Sequence, residues 1–339
     1  MKAHAIAAYD AREGLVLCHN VFDPAAPKKI LLRKGHILTT ADRTRLERVG
    51  GMTLHLLELE VDDICETEAG ERLGAAVAGS GVAVAGESES QVRLTAVVRG
   101  VLHVDFGRLA SVHAHDGVLV WTLEDAMPVE PGRHIASAKV APLAVPRDTL
   151  EWAMRDGAGA ITVAPYTDRR VAVLVRERMN QDARAKFEAS LRMKVAWFGG
   201  GPPVVRYIAT DVDEAAVGLR ALMEGDAELV LVGGTGSTDP LDPMFIALDA
   251  LRGRMLRLGV PAHPGSTYWL GELGGVPILG LASCGMFSQM TALDLLLPRF
   301  FSGEAVTPQL LTSLAVGGLI GRERTHRFPQ YSEQPDTVD

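Results

Sequence analysis

The apolar and polar positions of the chain fall into three successive patterns. Up to about Gly79, short apolar runs alternate with polar stretches of helical spacing. Gly14–Val21 reads as a strand, and Lys28–Leu38 as an extended segment that turns at Gly35. Thr40 or Asp42 is placed to cap a helix through Leu46 and Val49, stopped at Gly50-Gly51. Leu54–Leu59 is apolar enough for a strand. A helix is expected over Asp62–Val77, with Ile64, Ala69, Leu73 and Val77 close to one face. From Gly81 to Pro146 the segments become shorter and alternate, with strands expected over Gln91–Val97, Gly100–Asp105 and Gly117–Thr122. Pro128–Gly132 punctuates this stretch, and Ala138–Pro146 closes it, giving a mostly β or α+β module.

From Arg170 the pattern turns regular. Val171–Val175 has the continuous apolar character of a buried strand. Lys194–Phe198 could be extended, but Phe187, Leu191, Val195 and Phe198 form a helical stripe, so one helix is expected over Asp182–Phe198. Val204–Ile208 is the next strand, and Asp211 or Asp213 caps a helix that Gly225 ends. Strand Leu229–Val232 follows, then a glycine-rich turn and a helix over Phe245–Leu258. Val260–Gly265 is a rigid turn. Thr267–Leu273 and Val276–Leu281 are expected to pair about Gly274-Gly275. The second of them opens into Ala282–Ser288, and a helix runs through Leu293 and Leu297 to Pro298. This β-α-β-α-β order implies a parallel sheet with its ligand at the carboxyl ends of the strands. The fold class is therefore α/β: a parallel-sheet domain over 159–322, preceded by an α+β segment (1–80) and a small β-rich module (81–158), and followed by a polar tail (323–339).

Composition narrows the function classes. A length of 339 residues favours two or three domains, and 47% hydrophobic with 22% charged residues fits an ordinary globular protein. A net charge of −8 argues against a nucleic-acid surface, although loop amides can still hold one small anion. Cys18, Cys65 and Cys284 lack metal or disulfide spacing, which fits a reducing compartment. Met1–Ile6 lacks a signal-peptide core and no run reaches transmembrane length, so a cytoplasmic protein is expected, as is a homo-oligomer.

The candidate chemistry centres on Leu229–Asp242, where four apolar residues run into Gly233-Gly234-Thr235-Gly236-Ser237. Such a loop offers backbone N–H groups and a helix N-terminus to an anion, usually a phosphate. Asp239 and Asp242 add carboxylates for a hydrated Mg²⁺ or for orienting a substrate. The plainer alternative is a strand-to-helix turn with an Asp cap. His113-Ala114-His115-Asp116 supplies two possible metal ligands, but no other group has matching spacing, and a solvated loop is the better reading. A dinucleotide dehydrogenase is disfavoured, since no G-x-G-x-x-G follows a strand.

At these residues the sequence resembles the molybdenum-cofactor biosynthesis family, whose members bind molybdopterin. The strand-Gly233-Gly234-Thr235-Gly236 loop with Asp239 and Asp242 behind it, the turn His263-Pro264-Gly265, and the second loop Gly280–Gly285 followed by Ser288 carry the resemblance. Leu32, Gly35, Leu38, Thr39 and Asp42 match a further segment, as do Val306-Thr307 and Gly317-Gly318-Leu319. The match is closest to a subgroup often fused to a nucleotidyltransferase domain. The resemblance implies a three-layer molybdopterin-binding domain. Gly233, Gly234, Thr235, Gly236, Ser237, Pro264, Gly265, Ser283, Cys284 and Ser288 would then contact molybdopterin, and Asp239 and Asp242 would be catalytic and Mg²⁺-binding. It implies adenylyl or other nucleotide transfer, or molybdate insertion, with molybdopterin or adenylylated molybdopterin as ligand and a molybdoenzyme or nucleotidyltransferase as partner. A non-catalytic molybdopterin carrier, or a nucleotide-processing hydrolase or deamidase on the same domain type, are the rivals. Two departures stand out: Ala282, Ser283 and Cys284 replace the family's proline, glycine and asparagine, and His263 replaces a lysine. Cys284 also fits a small packed residue rather than a nucleophile.

Overall fold

The structure, a computed structural model, describes residues 1–88, 91–176, 179–282, 290–321, 326–328 and 331. The chain divides into two compact units, one of 1–98, 103–123 and 130–163, the other of 99–102, 124–129 and 164–339.

The first unit begins with β1 (Lys2–Ala7), β2 (Val16–Leu17), β3 (Val21–Asp23), β4 (Ala26–Leu32), α1 (Arg43–Val49) and β5 (Thr53–Glu58). β5 pairs antiparallel with both β1 and β2, over a core that includes Leu17, Leu38, Leu54 and Leu56. The strand expected over Gly14–Val21 is broken because Asn20 leaves the ladder, its side-chain oxygen accepting the Lys34 amide at 2.8 Å. Of the two expected caps, Asp42 stands at the N-cap position of α1 but makes no capping bond to it; its side chain instead closes the preceding turn, capped by Thr39. The Asp42 carboxylate accepts from His36 Nε2 (2.7 Å), the Thr39 amide (3.0 Å), the Thr39 hydroxyl (2.8 Å) and Arg45 Nη1 (3.0 Å).

Burial pushes the Asp42 carboxyl up, but the His36 and Thr39 hydrogen bonds outweigh it and hold its pKa at about 2, below the ordinary 3.8. A carboxyl depressed in the folded state stabilises the fold above its unfolded pKa and loses that contribution as pH falls. Asp42 is therefore expected to contribute about 2 kcal/mol at neutral pH, lost between about pH 4 and pH 2. Denaturant titrations of wild type and Asp42→Asn across that range check this: the difference between them should shrink towards pH 2.

Next along the chain come β6 (Asp63–Cys65), α2 (Glu66–Val77), β7 (Val82–Ser88), β8 (Gln91–Ala96), β9 (Gly100–Val104), α3 (Phe106–His113), β10 (Val118–Thr122), β11 (Pro128–Val129), β12 (His134–Val140), β13 (Ala144–Pro146), α4 (Arg147–Asp156) and β14 (Ile161–Pro165), of which β11 and parts of β9 and β14 are counted with the second unit. The helix expected from Asp62 starts at Glu66 because Asp63–Cys65 pair antiparallel with Ala144–Pro146. An antiparallel sheet runs β10-β12-β8-β7, and Val92, Leu94 and Ala96 of β8 alternate inward. The expected β-rich stretch thus also holds α3 and α4, so it is α+β. The His113–Asp116 run is tied down rather than merely solvated. His113 Nε2 accepts the Val120 amide at 3.1 Å, and His115 Nε2 lies 3.1 Å from Asp156 while its ring stacks on Trp152. Both Nε2 atoms are engaged within the protein, and among the described residues no further ligand joins them in a metal-holding group.

The second unit is built on β15 (Val171–Val175), α5 (Gln181–Trp197), β16 (Val204–Tyr207), α6 (Val212–Met223), β17 (Leu229–Gly233), α7 (Pro243–Ala250), β18 (Arg254–Leu258), β19 (Trp269–Leu273), β20 (Val276–Leu281), α8 (Ala292–Phe301) and α9 (Pro308–Ser313). The six strands form one sheet ordered β16-β15-β17-β20-β19-β18. The first four are mutually parallel, and β19 and β18 are added antiparallel. Alternate residues of the central strands face opposite cores. Val173, Leu231 and Leu279 pack with Phe187, Leu191 and Val195 of α5 and with α8, while Leu174, Val232 and Ile278 pack with Leu219 of α6 and Met244 of α7. Burial on both faces explains why β15 and β17 are continuously apolar.

The helix expected over Phe245–Leu258 is a correction. α7 ends at Ala250, Arg252 takes φ 61°, and Arg254–Leu258 is the edge strand β18. Gly253 permits the reversal: a Cβ there would lie 2.3 Å from Leu248 Cδ1. The last long helix, α8, continues through Pro298 to Phe301 instead of stopping at the proline. Among the described residues no helix is long and apolar enough to cross a membrane.

Candidate functional site at the carboxyl ends of the parallel strands

β15, β16, β17 and β20 are parallel, so Arg176, Ile208, Gly234 and Ala282 follow their carboxyl ends on one edge of the sheet. The glycine loop leaves β17 there, as the sequence implies. Its backbone is arranged differently from a phosphate cradle. The amides of Gly234 and Thr235 both donate to the Leu281 carbonyl (3.0 and 3.2 Å), and the Ser237 amide donates to the Thr267 carbonyl (2.9 Å). Of the four amides Gly234 to Ser237, only that of Gly236 has no partner among the described residues. Three of the expected anion donors are therefore engaged by the protein itself. The pattern of glycines could not show this, because the acceptors come from Leu281 and Thr267, both distant in sequence.

The loop is held from below by Trp269. Its indole N–H lies 3.1 Å from Thr235 Oγ1 and 3.3 Å from the Thr235 carbonyl, and both residues are fully buried. Phe245 meets the indole edge-on at 5.1 Å. Gly280 makes room for the ring, since a Cβ there would lie 1.9 Å from it. Trp269 carries no motif signal, whereas Gly280 opens the second loop of the resemblance.

The two aspartates have different fates. Asp242 is the N-cap of α7, with Oδ1 accepting the Met244 amide at 2.8 Å and Pro243 at the first helical position. Its Oδ2 takes Arg176 Nη2 at 2.6 Å. Both oxygens are thus engaged, which argues against Asp242 as a metal ligand. Asp239 is exposed and bends the loop, one oxygen accepting the Leu241 amide at 2.9 Å. Among the described residues no group of three or more His, Cys, Asp or Glu could hold a metal ion. Asp239 and Asp242 thus have different local roles, one turning the loop and the other capping α7.

Arg176 was not legible as a site residue. It follows the last residue of β15, its amide donates to the Gly233 carbonyl (3.1 Å), and Nη2 also donates to the Gly234 carbonyl (3.1 Å). Its side chain is 11% exposed. The Nε atom is buried with no hydrogen-bond partner among the described residues, a costly arrangement for a charged group.

Pro264 and Gly265 stand beside the start of α8. The Pro264 carbonyl accepts the Ala292 amide at 2.9 Å, and a Cβ on Gly265 would lie 2.6 Å from that of Ala292. His263 is tied through its backbone to Gly318 and Ile320, which brings in the Gly317–Leu319 segment. Ser283, Cys284 and Ser288 lie outside the described residues.

Beneath α8 is a buried charge cluster. Asp294 caps its own helix by accepting from the Thr291 amide (2.8 Å), and it pairs with Lys194 Nζ (2.7 Å) and accepts the Tyr331 hydroxyl (2.9 Å). Burial first, and Asp294 second, push the Tyr331 hydroxyl well above its ordinary range. Tyr331 is only 4% exposed, so this part of the segment expected to be a polar tail is anchored in the core.

No family model matches the chain, and no curated protein does. The solved structures similar to the chain at low scores include three that illustrate the range. The molybdopterin biosynthesis MoeA protein from Pyrococcus horikosii is 12% identical with a TM-score of 0.28, over 94% of this chain and 77% of that one. The protein CinA from Thermoplasma acidophilum, described as of unknown function, is 13% identical with a TM-score of 0.27, over 45% and 99%. The molybdopterin biosynthesis Mog protein from Mycobacterium ulcerans is 14% identical with a TM-score of 0.28, over 39% and 92%. Scores of this size carry no argument for this chain, and its function is argued from its own residues.

Proposed function

We propose that the chain binds molybdopterin, with the ligand's terminal phosphate at the glycine loop after β17. One observation carries the reading: a strand-Gly-Gly-Thr-Gly loop at the carboxyl end of a parallel sheet, with the unpartnered, buried Nε of Arg176 beside it. An orphaned nitrogen on a guanidinium that touches the glycine loop through the Gly234 carbonyl fits an anion. The residues fit the organic ligand in this way and do not fit Mg²⁺, because Asp242 is already engaged on both oxygens.

That engagement favours a binding or carrier role over nucleotide transfer or molybdate insertion. Those reactions require a cation held at a phosphoryl or oxo group, and Asp242, engaged on both oxygens, is not free to hold one. Protein purified from cells that make molybdopterin should release a pterin dithiolene phosphate identifiable by mass. Turnover with molybdopterin, Mg²⁺ and ATP or molybdate would instead establish the enzyme.

A further inference from the structure

We propose that Arg176 is the residue that recognises the phosphate, and that it does so by exchanging its ion pair with Asp242 for one with the ligand. The inference rests on the molybdopterin reading above and assigns the charge that this reading needs. The loop amides do not supply it, since those of Gly234, Thr235 and Ser237 are hydrogen-bonded within the protein. Arg176 has the reach: Nη2 already touches the Gly234 carbonyl at 3.1 Å, so the guanidinium lies directly against the loop.

It also has the unused capacity. A guanidinium presents five N–H donors in a planar fork, and a phosphate takes two of them side by side. Here Nε is buried and unpartnered, while the neighbouring Nη2 is held by Asp242 at 2.6 Å. A phosphate oxygen arriving at Nε, with a second at Nη2, would complete the fork. On release Asp242 keeps the Met244 amide on its other oxygen, while its Oδ2 loses its cation, a cost that the pairing with the ligand's dianion must exceed. With no ligand the pair holds the cation in place; with ligand the dianion displaces the monoanion. No covalent step is involved.

The experiment titrates the full chain anaerobically with molybdopterin and with molybdopterin from which phosphatase has removed the phosphate. Wild type should prefer the phosphorylated form. Arg176→Gln should lose about tenfold to hundredfold in affinity for that form, the range expected of a charge-assisted pair, and bind the dephosphorylated form as wild type does. Asp242→Asn keeps a cap at α7 and removes the competing charge, so it should bind the phosphorylated form more tightly. This second variant decides the matter if Arg176→Gln does not fold. Undiminished preference for the phosphate in Arg176→Gln, or weakened binding in Asp242→Asn, overturns the exchange while leaving the molybdopterin reading intact. Wild type that binds neither form overturns both.

Discussion

Lys194→Met is expected to destabilise the protein by about 3–5 kcal/mol, because it leaves Asp294 charged and buried with its cation gone. Lys194 Nζ and Asp294 Oδ1 are 2.7 Å apart, and their side chains are 5% and 0% exposed. Against a typical total of about 5–15 kcal/mol, such a loss brings the domain close to unfolding at room temperature. Adding Asp294→Asn to Lys194→Met should recover part of the loss. The neutral amide oxygen can still accept from Thr291 and Tyr331 without needing a counter-charge. Urea unfolding of the single and double variants measures both effects. A loss under about 1 kcal/mol for Lys194→Met would mean that the pair is solvated.

Gly280→Ala should cost about 1–3 kcal/mol by overpacking, or more, since the added methyl would meet the Trp269 ring at 1.9 Å. The effect should also reach the site. Displacing the indole breaks its hydrogen bond to Thr235, which anchors the glycine loop. Trp269 emission and near-ultraviolet circular dichroism are therefore expected to change together with the melting temperature. Trp269→Phe removes part of the ring that the methyl meets. The double variant should be more stable than the sum of the single losses predicts, a positive coupling between contacting residues. Strict additivity would show that the two do not meet as described.

Both predictions turn on contacts that the sequence did not announce, and the reason is physical. Strands β15, β17 and β20 and the helical stripe of α5 were legible because period and apolar run length report burial directly. The junction at Gly253 was not, since Met255, Leu256 and Leu258 continue the apolar character of α7 into what is in fact an edge strand. At the site, the position of the glycine loop and the cap at Asp242 followed from local pattern. The engagement of the loop amides did not, because Leu281 and Thr267 reach the loop only through tertiary pairing. Arg176 looks like any solvated charge after a strand, and only its 11% exposed side chain and its pairing with Asp242 distinguish it. Tyr331 stands in a polar segment, where nothing local announces that its ring is buried against Asp294.

The central claim is that the loop after β17 holds the ligand, and Gly236 offers the cleanest test of it. Gly234 has φ 80°, so any side chain there strains the backbone and confuses binding with folding. Gly236 is free of that constraint: the atoms nearest to a Cβ there belong to Thr267 and Thr238, at 3.8 Å or more. A leucine at 236 would instead crowd the one loop amide without a partner. Molybdopterin titrated anaerobically into wild type should bind saturably. Gly236→Leu should bind more than about tenfold more weakly, a difference above 1.4 kcal/mol, with its melting temperature unchanged. Equal affinity in the two proteins would contradict the assignment of the loop.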